Sequence, residues 1–492
     1  MNNSIVQMAG DFITKIKEME LKRALLIYLP LLLLCAVNIK PDCDCYFIIE
    51  NGEYLINTQS FPHEDWVTIH DGLHFVMQQW VFSAVVYLIY NSFGFTGLYF
   101  FVVALCFTLY LLIFKICLLK SNGEHFMSFL ATFIASLTIS YISGTIRPTI
   151  LSLIFVSLTI LIMEKSRGNI NLVFILPLIS IIQSNTHSTF WLAIIGTIVA
   201  YYIFDLRNKK LLTALILSFA VGFINPYGYE AVFQPFYAIG YEEYSSVSEL
   251  MPLSGMTLIM FMSIPLLLIA YLSFKKGVEE EQYPILLLFI VTTIASLLAM
   301  RSISFFVLMF AFYLSSFYKQ ENCEPLDNKN KKSPLLIILS IMLMLLTASS
   351  GSICLENIDI TKKDSIINIG EMCNQYFDEI DESELEGKTV MTDELQTGQI
   401  FHHNYNMTPY IDGRLETYID SLNKKENIFG EFLRVKKGLI YLDDFLEKYG
   451  DFDYIVTTHD SCVGSSARHL DDYEVVFDSK YDNGYVVFKH IE

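Results

Sequence analysis

The chain has 492 residues, of which 53% are hydrophobic, and a net charge of -19. So apolar a composition excludes an ordinary soluble protein and, at this length, suits a polytopic membrane protein with one added domain. The acidity excludes nucleic acid as a partner, because phosphate backbones call for basic stripes.

The charge is unevenly placed. Residues 356–492 hold 29 acidic and 13 basic side chains, so this end carries most of the excess and the remainder is nearly neutral. The nine cysteines are scattered. Cys35, Cys106 and Cys117 lie in or beside apolar runs, where a thiol acts as a small hydrophobe. Cys43 and Cys45 form a Cys-x-Cys pair, which is a poor disulfide and a weak metal signal.

Residues 1–23 read as an amphipathic lead. Lys15, Lys17, Lys22 and Arg23 precede the first apolar run, which predicts an N-terminus on the cytoplasmic side. The polar, basic lead and the lack of a small-residue cleavage site argue against a cleavable signal. A first membrane helix over 24–39 then puts a polar loop, through Trp80, outside.

Further apolar runs occupy 81–93, 97–118, 126–146, 149–163, 170–184, 188–204, 211–225, 257–274, 283–300, 302–318 and 334–353. Several fall short of the roughly 20 residues a straight span needs, so some are tilted, broken or re-entrant. Basic residues mark cytoplasmic turns at Lys165 and Arg167, at Arg207, Lys209 and Lys210, at Lys275 and Lys276, and at Lys329, Lys331 and Lys332. Starting from the last of these, the final span crosses outward and the acidic C-terminal part lies outside. The same count puts Arg147, His187, the Asn225-Pro226-Tyr227-Gly228 turn and Arg301 at the outer face. The expected architecture is a polytopic α-helical protein of about 11–13 spans. Its membrane domain covers 1–355, with an external loop at 40–80. An even number of runs cannot join an inside N-terminus to an outside C-terminus, so one run is not a separate span; 81–93 and the Arg147-Pro148 break are the suspects.

Residues 356–492 alternate short strand patterns (389–391, 408–411, 454–457, 475–477, 485–488) with helical ones (395–401, 427–435, 442–449). That order predicts a small α/β domain outside the membrane, large enough for its own core.

The loop from Gln59 to Trp80 concentrates side chains that move protons and stack on sugars. Glu64 or Asp65 could serve as general base to an acceptor hydroxyl, or could cap a helix that follows. His70 and His74 at i and i+4, with Asp71 or Glu64, would share one face of a helix and could grip a divalent metal; hydrogen-bonded surface histidines are the alternative. Trp66, Trp80 and Gln79 suit a carbohydrate, or an interfacial aromatic belt. Arg147 and Arg301 end apolar runs and offer forks that match phosphate oxygens, unless they snorkel to headgroups. Asn185 and His187, in a polar break of an apolar run, must face protein or water. Asp412 and Arg414 can pair across a tight turn, a structural role.

The order of these pieces resembles the GT-C superfamily of polytopic glycosyltransferases, in a bacterial branch of it. The residues that carry the resemblance are Pro62 to Trp66 with Gly72 and Gln79-Trp80, Arg147-Pro148, Asn185 with His187, Asn225 to Gly228, Arg301, and Asp412-Gly413-Arg414 with Glu416 and Tyr418. The chain departs from that branch at Ser184, Thr186 and Ser188, and at Gln396-Thr397-Gly398. The resemblance implies an inverting glycosyltransferase using a polyprenyl-phosphate-linked sugar, with a glycan, lipid or protein acceptor on the outer face of the cytoplasmic membrane. It implies Asp65 as base, with Glu64 and Asp71 behind it; in a glycosyltransferase the forks of Arg147 and Arg301 would steady the lipid phosphate. Two other classes stay open: a flippase or exporter of a glycolipid or polysaccharide intermediate, and a membrane-anchored binding protein.

Overall fold

A computed structural model of the chain describes residues 19–39, 42–237, 259–318, 376–418, 427–479 and 484–491, with a few isolated positions elsewhere. The run at 334–353 and the expected boundary at 355 lie outside the described residues. The membrane part contains α1 (Leu21–Ala36), α2 (Asp44–Thr58), α3 (Trp80–Lys120), α4 (His125–Ser143), α5 (Thr149–Ser166), α6 (Leu176–Thr186), α7 (Trp191–Tyr202), α8 (Lys209–Val221), α9 (Tyr229–Tyr237), α10 (Ile264–Lys276), α11 (Tyr283–Leu298) and α12 (Ile303–Ser316). Among the described residues, four helical stretches are long and apolar enough to cross a membrane: Trp80–Lys120, His125–Ser143, Thr149–Ser166 and Glu280–Leu298. Three shorter apolar ones accompany them.

The suspected run at 81–93 and the run at 97–118 are two helical segments that meet at a kink. They join in α3 at Gly94, whose φ of 61° and ψ of -161° break the helical path. Only glycine adopts such a backbone without strain.

Two rows of polar contacts mark the two ends of the bundle. At one end Lys120 and Tyr201 meet Glu164 (2.9 and 2.6 Å), Arg167 reaches the Glu281 carbonyl (2.9 Å), and Lys276 reaches the Phe317 carbonyl (2.5 Å). At the other, Ser143 meets Ser304 (2.6 Å), Ser152 meets His187 (2.9 Å), and Asn185 donates to the Ile224 carbonyl (2.9 Å). The basic turns at 165–167, 207–210 and 275–276 thus gather at the first end, the one at 329–332 lying outside the described residues, and Arg147, His187 and Arg301 belong to the second. Between the two ends α4 buries a row of hydroxyls, Ser128, Thr132, Ser136, Ser140 and Ser143. Small polar residues at this spacing let helices approach closely and hydrogen-bond across, as Ser140 does to the Cys35 carbonyl at 2.7 Å.

The sequence pattern predicts a loop over 40–80, but α2 occupies its first half. Asn51 and Gly52, poor residues for a helix interior, obscure the helical period. Packing explains them: a Cβ on Gly52 would stand 2.1 Å from the Ser83 carbonyl oxygen and 2.6 Å from Tyr87 Cβ. Gly52→Ala is therefore expected to force α2 off α3 and to cost about 1–3 kcal/mol, read as a fall in the Tm of the purified full chain. An unchanged Tm would mean that the two helices are not held in contact.

The C-terminal part holds β1 (Thr389–Thr392), α13 (Leu395–Tyr405), β2 (Thr408–Pro409), α14 (Ile428–Lys436), α15 (Leu442–Tyr449), β3 (Tyr454–Thr458), α16 (Cys462–Ala467), β4 (Tyr473–Asp478) and β5 (Tyr485–His490). The sheet order is β2-β1-β3-β5-β4, with β2, β1 and β3 parallel and β5 antiparallel to both β3 and β4. In parallel sheets, loops at the carboxyl ends of the strands carry the functional residues. Here those ends hold Asp393, Glu394 and the Asp412 to Arg414 turn. One apolar cluster runs from the membrane helices into this part through Phe377, Val390, Phe401 and Val456; a second joins Leu73 of the loop to Tyr410, Phe445 and Ile455.

Candidate functional site

The loop from Gln59 to Trp80 is a folded hairpin. Glu64 pairs with His74 in an antiparallel bridge, Asp65 N–H donates to the Leu73 carbonyl (2.8 Å), and Phe75 N–H donates to the His63 carbonyl (2.9 Å). Its tip, Asp71-Gly72, turns with Gly72 at a φ of 67°, so residues 70–74 are not helical and the expected shared face for His70 and His74 does not exist. His70 packs edge-on against Tyr410 and Tyr449, while His74 reaches Glu230 at 3.3 Å. Among the described residues, no group of three or more His, Cys, Asp or Glu is arranged to hold a metal. Glu64 and Asp71 are exposed.

Asp65 turns inward. Its carboxylate accepts from the Val67 and Thr68 amides (3.3 and 3.2 Å), the Thr68 hydroxyl (2.5 Å) and Arg414 Nη2 (2.6 Å). It caps a turn of its own hairpin, not a following helix. Arg414 Nε binds Asp412 (2.6 Å), which also accepts from the Tyr418 hydroxyl (2.9 Å), and the guanidinium lies over the rings of Trp66 and Phe75 (5.3 and 5.1 Å). The expected Asp412–Arg414 pair is present, and Arg414 extends it to the hairpin. Exposure of the Arg414 and Asp65 side chains is 2% and 0%. Burial pushes the Asp65 carboxyl up, but the Arg414 charge, the Thr68 hydroxyl and the Val67 amide outweigh it and hold it below the usual carboxylate range.

The tryptophans are anchored. Trp66 packs at a tilt against Tyr54 (4.4 Å), and Trp80 meets Phe61 edge-on (5.3 Å) while donating to Asn185 Oδ1 (2.9 Å). Asn185 Nδ2 donates to the Ile181 and Ile224 carbonyls, so this amide ties three segments together. Gln79 stands at the start of α3, its carbonyl accepting from Ser83 N–H. His187 is buried against Ser152 and Phe190, close enough to Arg301 to feel its charge.

Arg147 does not snorkel. Its Nε binds Asp42 (2.7 Å) and its Nη2 binds Asp44 (2.8 Å). The three side chains keep 18–23% of their surface exposed, unlike the sealed Asp65. Asp42 and Asp44 sit where α1 ends and α2 begins, and sequence reasoning passed over them; the Asp-x-Asp spacing directly after the first apolar run was the available signal.

The C-terminal part closes over this end of the bundle. Gln399 donates to the Cys43 carbonyl (2.6 Å), and Ile69 N–H donates to the Pro409 carbonyl (3.1 Å). His403 bonds Glu50 through Nδ1 and the Tyr90 hydroxyl through Nε2 (3.2 Å), with His402 at 3.9 Å from the same carboxylate. A cavity of about 10 Å³, room for one water, lies between α2 and α13 and is lined in part by Glu50, Gln399, His402 and Arg414. Glu416 lies within reach of the charges of both Arg414 and Arg301.

No protein-family model matches the chain, and no curated protein is significantly similar to it. Among solved structures it is similar to the crystal structure of the Archaeoglobus fulgidus oligosaccharyltransferase, tethered with an acceptor peptide containing the NVT sequon via a disulfide bond. Identity is 12%, the match covers 94% of this chain and 73% of that one, and the TM-score is 0.49. A likeness at this level assigns no role to any residue here.

Proposed function

We propose that the chain is a membrane glycosyltransferase of the GT-C type, moving a sugar from a polyprenyl-phosphate donor to an acceptor at the outer face of the cytoplasmic membrane. The carrying observation is the partly exposed Asp42–Arg147–Asp44 cluster where the first helix leaves the bundle, with His187 and Arg301 at the same end. In this reading a carboxylate of the pair, Asp44 or Asp42, takes the proton from an acceptor hydroxyl. The freed oxygen forms the new bond to the sugar C1 as the C1–phosphate oxygen bond breaks, inverting that carbon. The lipid phosphate leaves with the bonding electron pair, and Arg301 meets its charge while Arg147 orients the carboxylates.

Asp65 moves from base to support in this proposal. A base must offer a free lone pair to its proton donor, and the Asp65 carboxylate accepts four hydrogen bonds with no side-chain surface exposed. The described basic turns, gathered at the opposite end, support a C-terminal part on the outside. A carrier would need ionisable groups buried mid-span. The ionisable groups of the described spans sit toward helix ends, as Lys115 and Lys120 do in α3 and Glu164 and Lys165 in α5, which supports the enzyme over the carrier.

The test compares glycans and glycolipids of a strain carrying the native protein with strains carrying Asp44→Asn, Asp42→Asn or Asp65→Asn at matched abundance. One sugar substituent is expected to disappear with Asp44→Asn or Asp42→Asn, by the order of 10²-fold or more typical of a lost general base. An unchanged profile in both would sink the assignment.

A further inference from the structure

We infer that Gln399, from the C-terminal domain, is a positioning residue that holds the Asp42-Cys43-Asp44 turn in register with Arg147. This role rests on the reading of Asp42 and Asp44 given above. The Gln399 amide is oriented without ambiguity: the Cys43 carbonyl only accepts, so the group 2.6 Å from it must be the NH₂. Gln399 Oε1 then faces away, toward Gly413, and is buried with no partner, as is Arg414 Nη1; both residues line the small cavity beside α2.

The Cys43 carbonyl is a strategic point. It belongs to the peptide that joins the two carboxylate-bearing segments, it also accepts from Tyr46 N–H (3.1 Å), and the Asp42 carbonyl accepts from Cys45 N–H (3.3 Å). Fixing that peptide plane fixes the directions in which Asp42 and Asp44 leave the backbone, and so their 2.7 and 2.8 Å contacts with Arg147. At an exposed turn such contacts would fluctuate. Gly413 makes the approach feasible: a Cβ there would stand 2.6 Å from Gln399 Oε1 and 3.6 Å from Asp44 Oδ1. The domain is thereby a wall of the site and not a separate module beside it.

Cys43 supplies the probe. Its half-buried thiol is pushed up to about 12 by burial and by the neighbouring carboxylates, so it reacts slowly while the turn is held. The full chain in detergent would be treated with N-ethylmaleimide and the labelled peptides quantified, with exposed Cys462 as internal standard. Gln399→Met keeps length and volume but has no donor. Gln399→Glu keeps the shape and, when ionised, presents only acceptors. Both are expected to label Cys43 about fivefold faster than the native chain, the factor one hydrogen bond is worth, with Cys462 labelling unaltered. Burial raises the carboxyl introduced by Gln399→Glu, so in mild acid, above the ordinary carboxylate range where docking still holds, it gains a proton and its O–H can again donate to the Cys43 carbonyl. The labelling ratio of that variant to the native chain at the same pH should then return toward one, while that of Gln399→Met should not. A general loosening of the fold would not reverse in this way. Unaltered Cys43 labelling in both variants, or no recovery of Gln399→Glu in acid, would overturn the proposal.

The sugar readout separates the two claims. If Gln399→Met frees Cys43 yet leaves the glycan profile native while Asp44→Asn abolishes it, Gln399 holds the turn but does not serve the chemistry, and the positioning role fails. If Asp44→Asn and Asp42→Asn both leave the profile unchanged, the reading of the carboxylates fails, and labelling alone decides what Gln399 holds.

Discussion

Arg414→Met is expected to destabilise the full chain by about 3–5 kcal/mol, the usual cost of removing one partner from a buried ion-pair cluster. The guanidinium stands between Asp65 and Asp412 at 2.6 Å from each. Methionine fills a similar volume and keeps the contact with Trp66 and Phe75, but it leaves two carboxylates facing each other away from water. Neither can be rehydrated without opening the hairpin or the turn after β2. Arg414→Lys should fall between the two, since an ammonium keeps the charge but cannot serve both carboxylates with the fork geometry. The measurement is the Tm of the purified protein, together with the rate at which protease releases the C-terminal domain. Adding Asp65→Asn to Arg414→Met should cost much less than the sum of the separate effects, because the asparagine no longer needs a counter-charge. A native Tm in Arg414→Met would mean that this cluster does not join hairpin and domain.

That cluster also marks how far the sequence could be read. The ends of α4, α5, α7 and α12, the five strands and α15 follow from local patterns, because periodicity and basic turns are properties of neighbours in sequence. The Asp412–Arg414 pair was equally legible, being two residues apart. What was not legible is the partnership of residues far apart in the chain: Arg414 with Asp65 is separated by 349 positions, Gln399 with Cys43 by 356, and His403 with Glu50 by 353. Its polar surroundings read Asp65 as a base; its ion pair with Arg414 supports the tether proposed above. Asp42 and Asp44 were overlooked for the converse reason, since nothing beside them in the sequence announces Arg147 105 residues on. Helix α2 was hidden because Gly52 answers to Ser83, not to its own helix.

The second large effect is loss of domain docking in acid. Two carboxylates tie the hairpin and α2 to the C-terminal domain: Asp65, through Arg414, and Glu50, through His403 with His402 nearby and Tyr90 on the far side of the ring. Burial raises the Glu50 carboxyl, but the His403 hydrogen bond and charge, with the charges of His402 and Arg414, outweigh it and leave it lowered, as Asp65 is. A carboxylate whose value is lower in the folded state binds fewer protons there than in the unfolded chain. Its stabilisation is therefore complete above the ordinary carboxylate range and is lost as pH falls through the folded values. With two such groups the stability should fall by up to about 2.7 kcal/mol per pH unit within that window, about 1.4 from each. The readout is amide exchange across α13, residues 395–405, in the full chain at stepped pH. Protection should hold at neutral pH and collapse below the ordinary carboxylate range. Glu50→Gln with Asp65→Asn should weaken docking at neutral pH and flatten the acid slope, since neither side chain then has a proton to gain. A double variant that loses protection as steeply as the native chain would place the acid-sensitive contact elsewhere.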